Sequence, residues 1–129
     1  FERDWEHLYK DLIVLGIYAI ELIPIRNDIQ VLKKFVNFFN MRDFIVTFGT
    51  EHNTPEMIPL TIKCRNEHDL DDELKRIGNE GACVLVAHQH LVENGKEGYI
   101  DQSGKAKTDQ LSDFVSLGES VLQNYLTKK

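Results

Sequence analysis

The stretch FIVTFGTEHNTPE, residues Phe44 to Glu56, decides the fold class of this chain. Its first part, which ends at Gly49, is rich in β-branched and aromatic residues, as in a strand that is covered on both faces. A carboxylate and an imidazole, Glu51 and His52, follow that strand almost at once. The stretch therefore predicts a buried strand that ends in a polar turn.

Another apolar stretch, IYAIELIPI, lies upstream and predicts a first strand in which Glu21 is the polar exception. A helix is predicted before it, from about Asp4 to Leu15, and Gly16 can end this helix in a left-handed conformation. The stripe of this helix that faces the core is predicted to contain Trp5, Leu8, Leu12 and Leu15.

A second helix is predicted between the two strands, with Asn27 or Asp28 as its cap. Its inward side chains are predicted to be Val31, Phe35, Phe38 and Phe39. Strands that alternate with helices at this spacing usually form a parallel sheet, so the chain is predicted to be an α/β protein. Ligands of such sheets gather beyond the carboxyl ends of the strands, where the GTEHNT turn lies.

The rest of the chain is predicted to be mostly helical. Thr54 and Pro55 suit a helix start, and Pro59 limits that helix to about one turn. Two further helices are predicted over residues 68–81 and 81–95, then a loop or hairpin over 95–107 and an amphipathic helix over 108–126. We expect one domain over residues 1–129, with a sheet-containing part at 1–59 and a helical extension at 60–129.

Composition excludes several classes of function. The formal net charge is −6 and no basic stripe is present, so the sequence argues against nucleic-acid binding. No apolar run reaches the roughly 18 residues of a membrane span. Two cysteines without metal-finger spacing, Cys64 and Cys83, are predicted to be reduced thiols of a cytoplasmic protein. The first residue is Phe1, which suggests a piece of a longer protein.

Taken alone, Glu51 and His52 have two interpretations. Adjacent side chains point in different directions on a helix or strand, so the pair can share a metal ion only on a loop or with ligands from elsewhere. Alternatively, both residues cap or bridge backbone groups of a tight turn.

The order of elements and the residues LIVLGIYAIELIPIRN and FIVTFGTEHNTPE resemble the last third of a PHP domain, of the polymerase and histidinol phosphatase family. The resemblance covers roughly Asp4 to Pro59. It implies a partial, distorted βα barrel-like sheet with metal ligands at the carboxyl ends of the strands. A family strand that opens with IE corresponds to the one containing Glu21, and the family's GSDAH-like turn corresponds to Gly49 through His52.

The resemblance implies metal-dependent hydrolysis of a phosphorylated small molecule, with two or three divalent ions that activate water. His52 would be a metal ligand and Glu51 a ligand or the acceptor that orients the imidazole. Glu21, Asn53 and Thr54 would face the site, although Glu21 can instead pair with Arg26 or Lys10. Carboxylate and imidazole ligands suit Zn, Mn or Fe.

The family's early histidine motifs are absent from this chain, so we expect the chain alone to be inactive. His88 and His90 do not replace them, because a helix is predicted there and turns their side chains about 200° apart. His7 and His68 are predicted to lie on the surface. The alternative is a non-catalytic α/β domain that binds a ligand or partner. Half a barrel leaves a strand edge unpaired, so a homodimer is also predicted.

Overall fold

The computed structural model describes residues 4–50, 55–56 and 60–128. Four α-helices and two strands form the architecture of this part of the chain. In order they are α1 (Trp5–Val14), β1 (Ala19–Leu22), α2 (Ile29–Asn40), β2 (Ile45–Phe48), α3 (Asp72–Glu93) and α4 (Leu111–Thr127). Short 3-10 turns lie at Pro24–Arg26, Arg65–Glu67 and Thr108–Gln110.

The two strands pair in parallel, and α2 forms the crossover between them. Ala19 lies opposite Ile45, and Leu22 lies opposite Phe48. The predicted mixed α/β class with a parallel strand pair is confirmed for the described residues.

Three helices begin with an aspartate whose side chain caps the first turn: Asp4 caps α1, Asp28 caps α2 and Asp71 caps α3. Each carboxylate accepts a hydrogen bond from a backbone N–H of the first turn, at 3.0, 2.9 and 2.9 Å respectively. These bonds satisfy amides that have no partner inside the helix. Asp28 therefore caps α2, and Asn27 does not. The predicted stop of α1 is confirmed, since Gly16 has φ +70°.

A first apolar cluster fills the space between α2, β2 and the start of α3. Its buried members are Leu32, Val36, Phe39, Phe44, Val46, Cys64, Leu70, Leu74 and Ile77. Phe35, Phe38, Leu8 and Leu12 pack against it, as predicted. Two inward predictions are wrong: Val31 is 45% exposed and Leu15 is 71% exposed. The apolar stripes predicted for α1 and α2 are wider than the surface that neighbouring elements cover on each helix.

One continuous helix, α3, replaces the two helices predicted over 68–81 and 81–95. Its two interior glycines lie inside the unbroken helix, and each gives space to β2. A Cβ on Gly81 would overlap the Val46 carbonyl oxygen, and one on Gly78 would press on the Phe48 ring. Gly78 and Gly81 are therefore packing positions that bring α3 against the strand.

A second apolar cluster lies at the other end of α3. Its buried members are Ile45, Val84, Ala87, Tyr99 and Phe114. The segment predicted to be a loop or hairpin is a loop closed by a single antiparallel bridge between Ile100 and Ala106, and the predicted amphipathic C-terminal helix is α4. Gly118 lets α4 cross closely over the Cys83 backbone of α3.

Two basic residues, Lys33 and Arg42, form ion pairs that connect the region of α2 to α3 and α1. Arg42 at the end of α2 pairs with Glu6 of α1 at 2.9 Å, and its guanidinium Cζ lies 3.7 Å from the Phe38 ring centroid. Lys33 of α2 contacts both Asp71 and Glu73 at the start of α3, each at 2.7 Å. Pro55 and Glu56 form a bend rather than the predicted helical turn; the remaining residues of that prediction, including Thr54 and Pro59, lie outside the described residues.

Candidate functional site

The carboxyl ends of β1 and β2 bring Glu21 beside Gly49, the first residue of the GTEHNT stretch. Glu21 lies opposite Thr47 in the strand register, and its carboxylate extends past that residue to Gly49. A Cβ placed on Gly49 would lie 2.9 Å from Glu21 Cδ and 2.9 Å from Oε1. Gly49 has no side chain and therefore leaves space for the Glu21 carboxylate at the start of the GTEHNT stretch.

Glu21 is exposed, and it forms no ion pair with Lys10, Arg26 or another described residue. The ion pair that the sequence left open is thus not formed. The other predicted site residues, Glu51, His52, Asn53 and Thr54, lie outside the described residues. Among residues 4–50, 55–56 and 60–128, no three His, Cys, Asp or Glu side chains lie close enough to hold a metal ion.

The outer edge of β1 is open in the described part of the chain. The carbonyls of Tyr18 and Leu22 accept hydrogen bonds from β2, from Ile45 N and Gly49 N, both at 2.9 Å. Alternate residues of a strand direct their backbone groups to opposite sides, so Ala19 and Glu21 direct theirs away from β2. No described strand pairs with them.

The sheet face that carries Ala19 and Glu21 is also incompletely covered. Both residues are exposed, while Ile45 on the same face is buried in the second apolar cluster. An apolar groove of about 220 Å³ runs along this face. Its lining includes Ile17, Ala19, Leu85, Tyr99 and Ile100.

The histidines outside the turn do not form a site. His88 and His90 lie on α3, as predicted, and His88 Nδ1 accepts a hydrogen bond from Tyr99 N at 3.0 Å. This contact fixes the hairpin on α3 and occupies the nitrogen. His7 and His68 are exposed, which confirms their predicted surface position.

The two thiols are free and buried. Burial is the main cause that raises the pKa of both Cys64 and Cys83, with nearby carboxylates as a smaller cause. A thiol with a raised pKa is a poor nucleophile, so neither cysteine is a catalytic candidate.

One feature was missed on sequence: a cavity of about 200 Å³ between the first turns of α1 and α2. Among the described residues that line it, Asn27 is the one with a polar amide side chain. The signal was present as two neighbouring cap candidates, Asn27 and Asp28. Only one of them can cap α2, which leaves the other amide for a different contact.

Within the described part of the chain, no helix combines the length and the apolarity that crossing a membrane demands. Comparison of the chain with protein-family models, curated proteins and solved structures finds no match in any of the three.

Proposed function

We propose that this chain is the C-terminal part of a PHP-type, metal-dependent phosphoesterase. The observation that supports it best is the contact between the Glu21 carboxylate and Gly49. That contact joins the IE strand to the start of the GTEHNT turn, the two sequence features on which the resemblance rests. An acidic side chain at the carboxyl end of parallel strands is suited to a cation site.

In this proposal β1 and β2 are adjacent strands of a larger, distorted βα barrel. The open backbone edge at Ala19 and Glu21 supports it, because a barrel pairs every strand on both sides. The exposed face of β1 supports it as well. Parallel strands are normally covered on both faces, and here Ala19 and Glu21 are exposed on one face of β1.

Glu51 and His52 would hold Zn, Mn or Fe, and Glu21, Asn53 and Thr54 would face the ion. The metal would activate water and stabilise the leaving oxygen of a phosphorylated small molecule. Glu21 is able to take part because it is exposed and has no ion-pair partner among the described residues. A catalytic site needs at least three protein ligands, so the chain alone is expected to be inactive.

Elemental analysis of the purified chain after equilibration with Zn and Mn tests the proposal. We expect bound metal that is lost in His52→Ala and kept in His68→Ala, because the second variant removes an exposed imidazole that is not part of the GTEHNT stretch. Glu21→Gln should weaken binding without altering the fold. If wild type and His52→Ala both lack metal, the turn is structural and the proposal fails for this chain.

The second candidate is a non-catalytic α/β domain that binds a ligand or a partner. It is favoured by the cavity between α1 and α2, which needs no metal. A chain that binds no metal but binds a small molecule in that cavity would support this candidate over the phosphoesterase.

A further inference from the structure

We propose that the cavity between α1 and α2 is a binding site for a small neutral molecule with a ring-sized apolar body and one hydroxyl or carbonyl group. None of the described residues that line it belongs to the GTEHNT stretch, and the proposal does not depend on the phosphoesterase function. The proposal is argued from the volume of the cavity, the side chains that line it and the Asn27 amide.

The size of the cavity suits a substituted six-membered ring. Its volume is about 200 Å³, and an apolar cavity of about 150 Å³ already accepts benzene. Its walls are the side chains of Trp5, Leu8, Leu22, Val31, Leu32 and Phe35, with Asn27 at one side. Burial of an apolar ring against these side chains is the main source of affinity.

The lining also determines the charge of the ligand. None of the seven lining residues in the described part of the chain is charged, and an ionised group would lose hydration beside them without a partner. The ligand is therefore neutral.

Asn27 determines where the polar group of the ligand lies. Its backbone N–H donates to Pro24 and its carbonyl accepts from Arg65, but its side-chain amide has no hydrogen bond with a described residue. The other polar side-chain atom of the described lining residues, Trp5 Nε1, is buried and has no hydrogen-bond partner. A hydroxyl or carbonyl group can pair with the amide of Asn27, which both donates and accepts.

The chain has a single tryptophan, which lines the cavity and reports directly on binding. The test is a titration of ¹⁵N-labelled protein with benzyl alcohol or toluene, followed by the one indole N–H resonance of Trp5. We expect saturable shifts with both probes, because each ring enters the cavity. Benzyl alcohol should bind about three- to tenfold more tightly, since its hydroxyl adds one hydrogen bond to Asn27.

Two variants and one control sharpen the test. Asn27→Leu should remove the preference for benzyl alcohol and keep toluene binding. Val31→Phe should block both probes, because Val31 lines the cavity and the added ring gains apolar contact by filling it. Val92→Phe is the matched control: Val92 is a similarly exposed helical valine, 49% against 45%, and does not line the cavity.

Several results would overturn the proposal. They are the absence of a saturable shift in folded wild type, equal binding of both probes by wild type, or unchanged binding by Val31→Phe. Loss of binding in Val92→Phe would also overturn it, since the effect would then not come from the cavity.

Discussion

Gly118 decides how closely α4 approaches α3. A Cβ at this position would overlap the carbonyl oxygen of Cys83. In an isolated helix, alanine is favoured over glycine by about 1 kcal/mol. Here overpacking opposes that gain, so we expect Gly118→Ala to lower the free energy of unfolding by about 1–3 kcal/mol. Urea denaturation followed by circular dichroism measures the change.

Ser120→Ala, on the exposed side of the same helix, is the control for this substitution. The Ser120 hydroxyl donates a hydrogen bond to the Ser116 carbonyl in the preceding turn. Because such a bond slightly destabilises a helix, Ser120→Ala should be close to neutral or slightly stabilising. A Gly118→Ala variant as stable as wild type would show that the two helices separate without cost.

Residue-level prediction from sequence singled out Glu21 as a residue that contradicts its own pattern, and its role at a metal site stays a prediction. Glu21 interrupts an apolar strand, and the structure places its carboxylate against Gly49. Residue-level prediction failed where a residue fits the pattern but nothing covers it. Val31 and Leu15 have the correct helical spacing, yet both are exposed because periodicity gives the direction of a side chain and not the extent of its neighbour.

The junction of α2 and α3 is held by charges as well as by the first apolar cluster. The hydrogen bond from Lys33 is the main cause that lowers the pKa of the Asp71 carboxyl, and the Leu74 N–H adds to it. The same contact, with Glu73, raises the pKa of Lys33. A carboxyl group whose pKa is lower in the folded state stabilises that state at pH values above its unfolded pKa of about 3.9. This stabilisation is lost as the pH falls through the lower pKa of the folded state.

Asp71→Asn separates the ion pair from the cap. Asparagine still caps a helix well, but it neither titrates nor pairs with Lys33. We expect the variant to be less stable than wild type at neutral pH, and to lose less stability as the pH falls from about 5 through and below 3.9. Urea midpoints at several pH values measure both effects.

Asp72→Asn serves as the comparison, since Asp72 is exposed in the first turn of α3 and forms no ion pair with a described residue. It should follow the wild-type pH dependence more closely than Asp71→Asn does. Identical acid sensitivity of wild type and Asp71→Asn would mean that the Lys33 contact does not stabilise this junction.

Among the elements, helix α3 was the hardest to predict. Its sequence contains Gly78 and Gly81, and isolated glycines weaken a helix. Contact with β2 reverses that effect, because only glycine lets the helix lie against Val46 and Phe48. Such a contact joins residues far apart in sequence, so no local pattern reveals it.

In the described part of the chain no strand pairs with the outer edge of β1, and a second copy of the chain can cover that edge. Two β1 strands paired antiparallel about Ile20 place Glu21 of one copy opposite Ala19 of the other, which keeps the carboxylates apart. We expect the isolated chain to form a homodimer in this way. Ala19→Pro should convert it to a monomer without unfolding, because the Ala19 N–H faces away from β2.

Light scattering coupled to size exclusion measures the mass, and circular dichroism checks the fold. Ile20→Pro is the contrasting variant, since it removes an N–H that faces β2 and should destabilise the chain itself. A wild-type chain that is monodisperse as a monomer would contradict the predicted homodimer.

At this scale the sequence predicted the α/β class and the strand–helix–strand order, because strong apolar strands and capped helices are local features. It did not predict the division of the core into two clusters. That division depends on which residues of β2 face which side of the sheet: Val46 belongs to the first cluster and Ile45 to the second.

Helix α3 contributes to both clusters, Leu74 and Ile77 to the first and Val84 and Ala87 to the second. At about 1.5 Å per residue it forms a rod roughly 33 Å long. Because each cluster is completed by the same helix, neither half of the core can melt while the other remains intact. The chain should therefore behave as one cooperative folding unit, with its slowest hydrogen exchange in the middle of this helix and in β2.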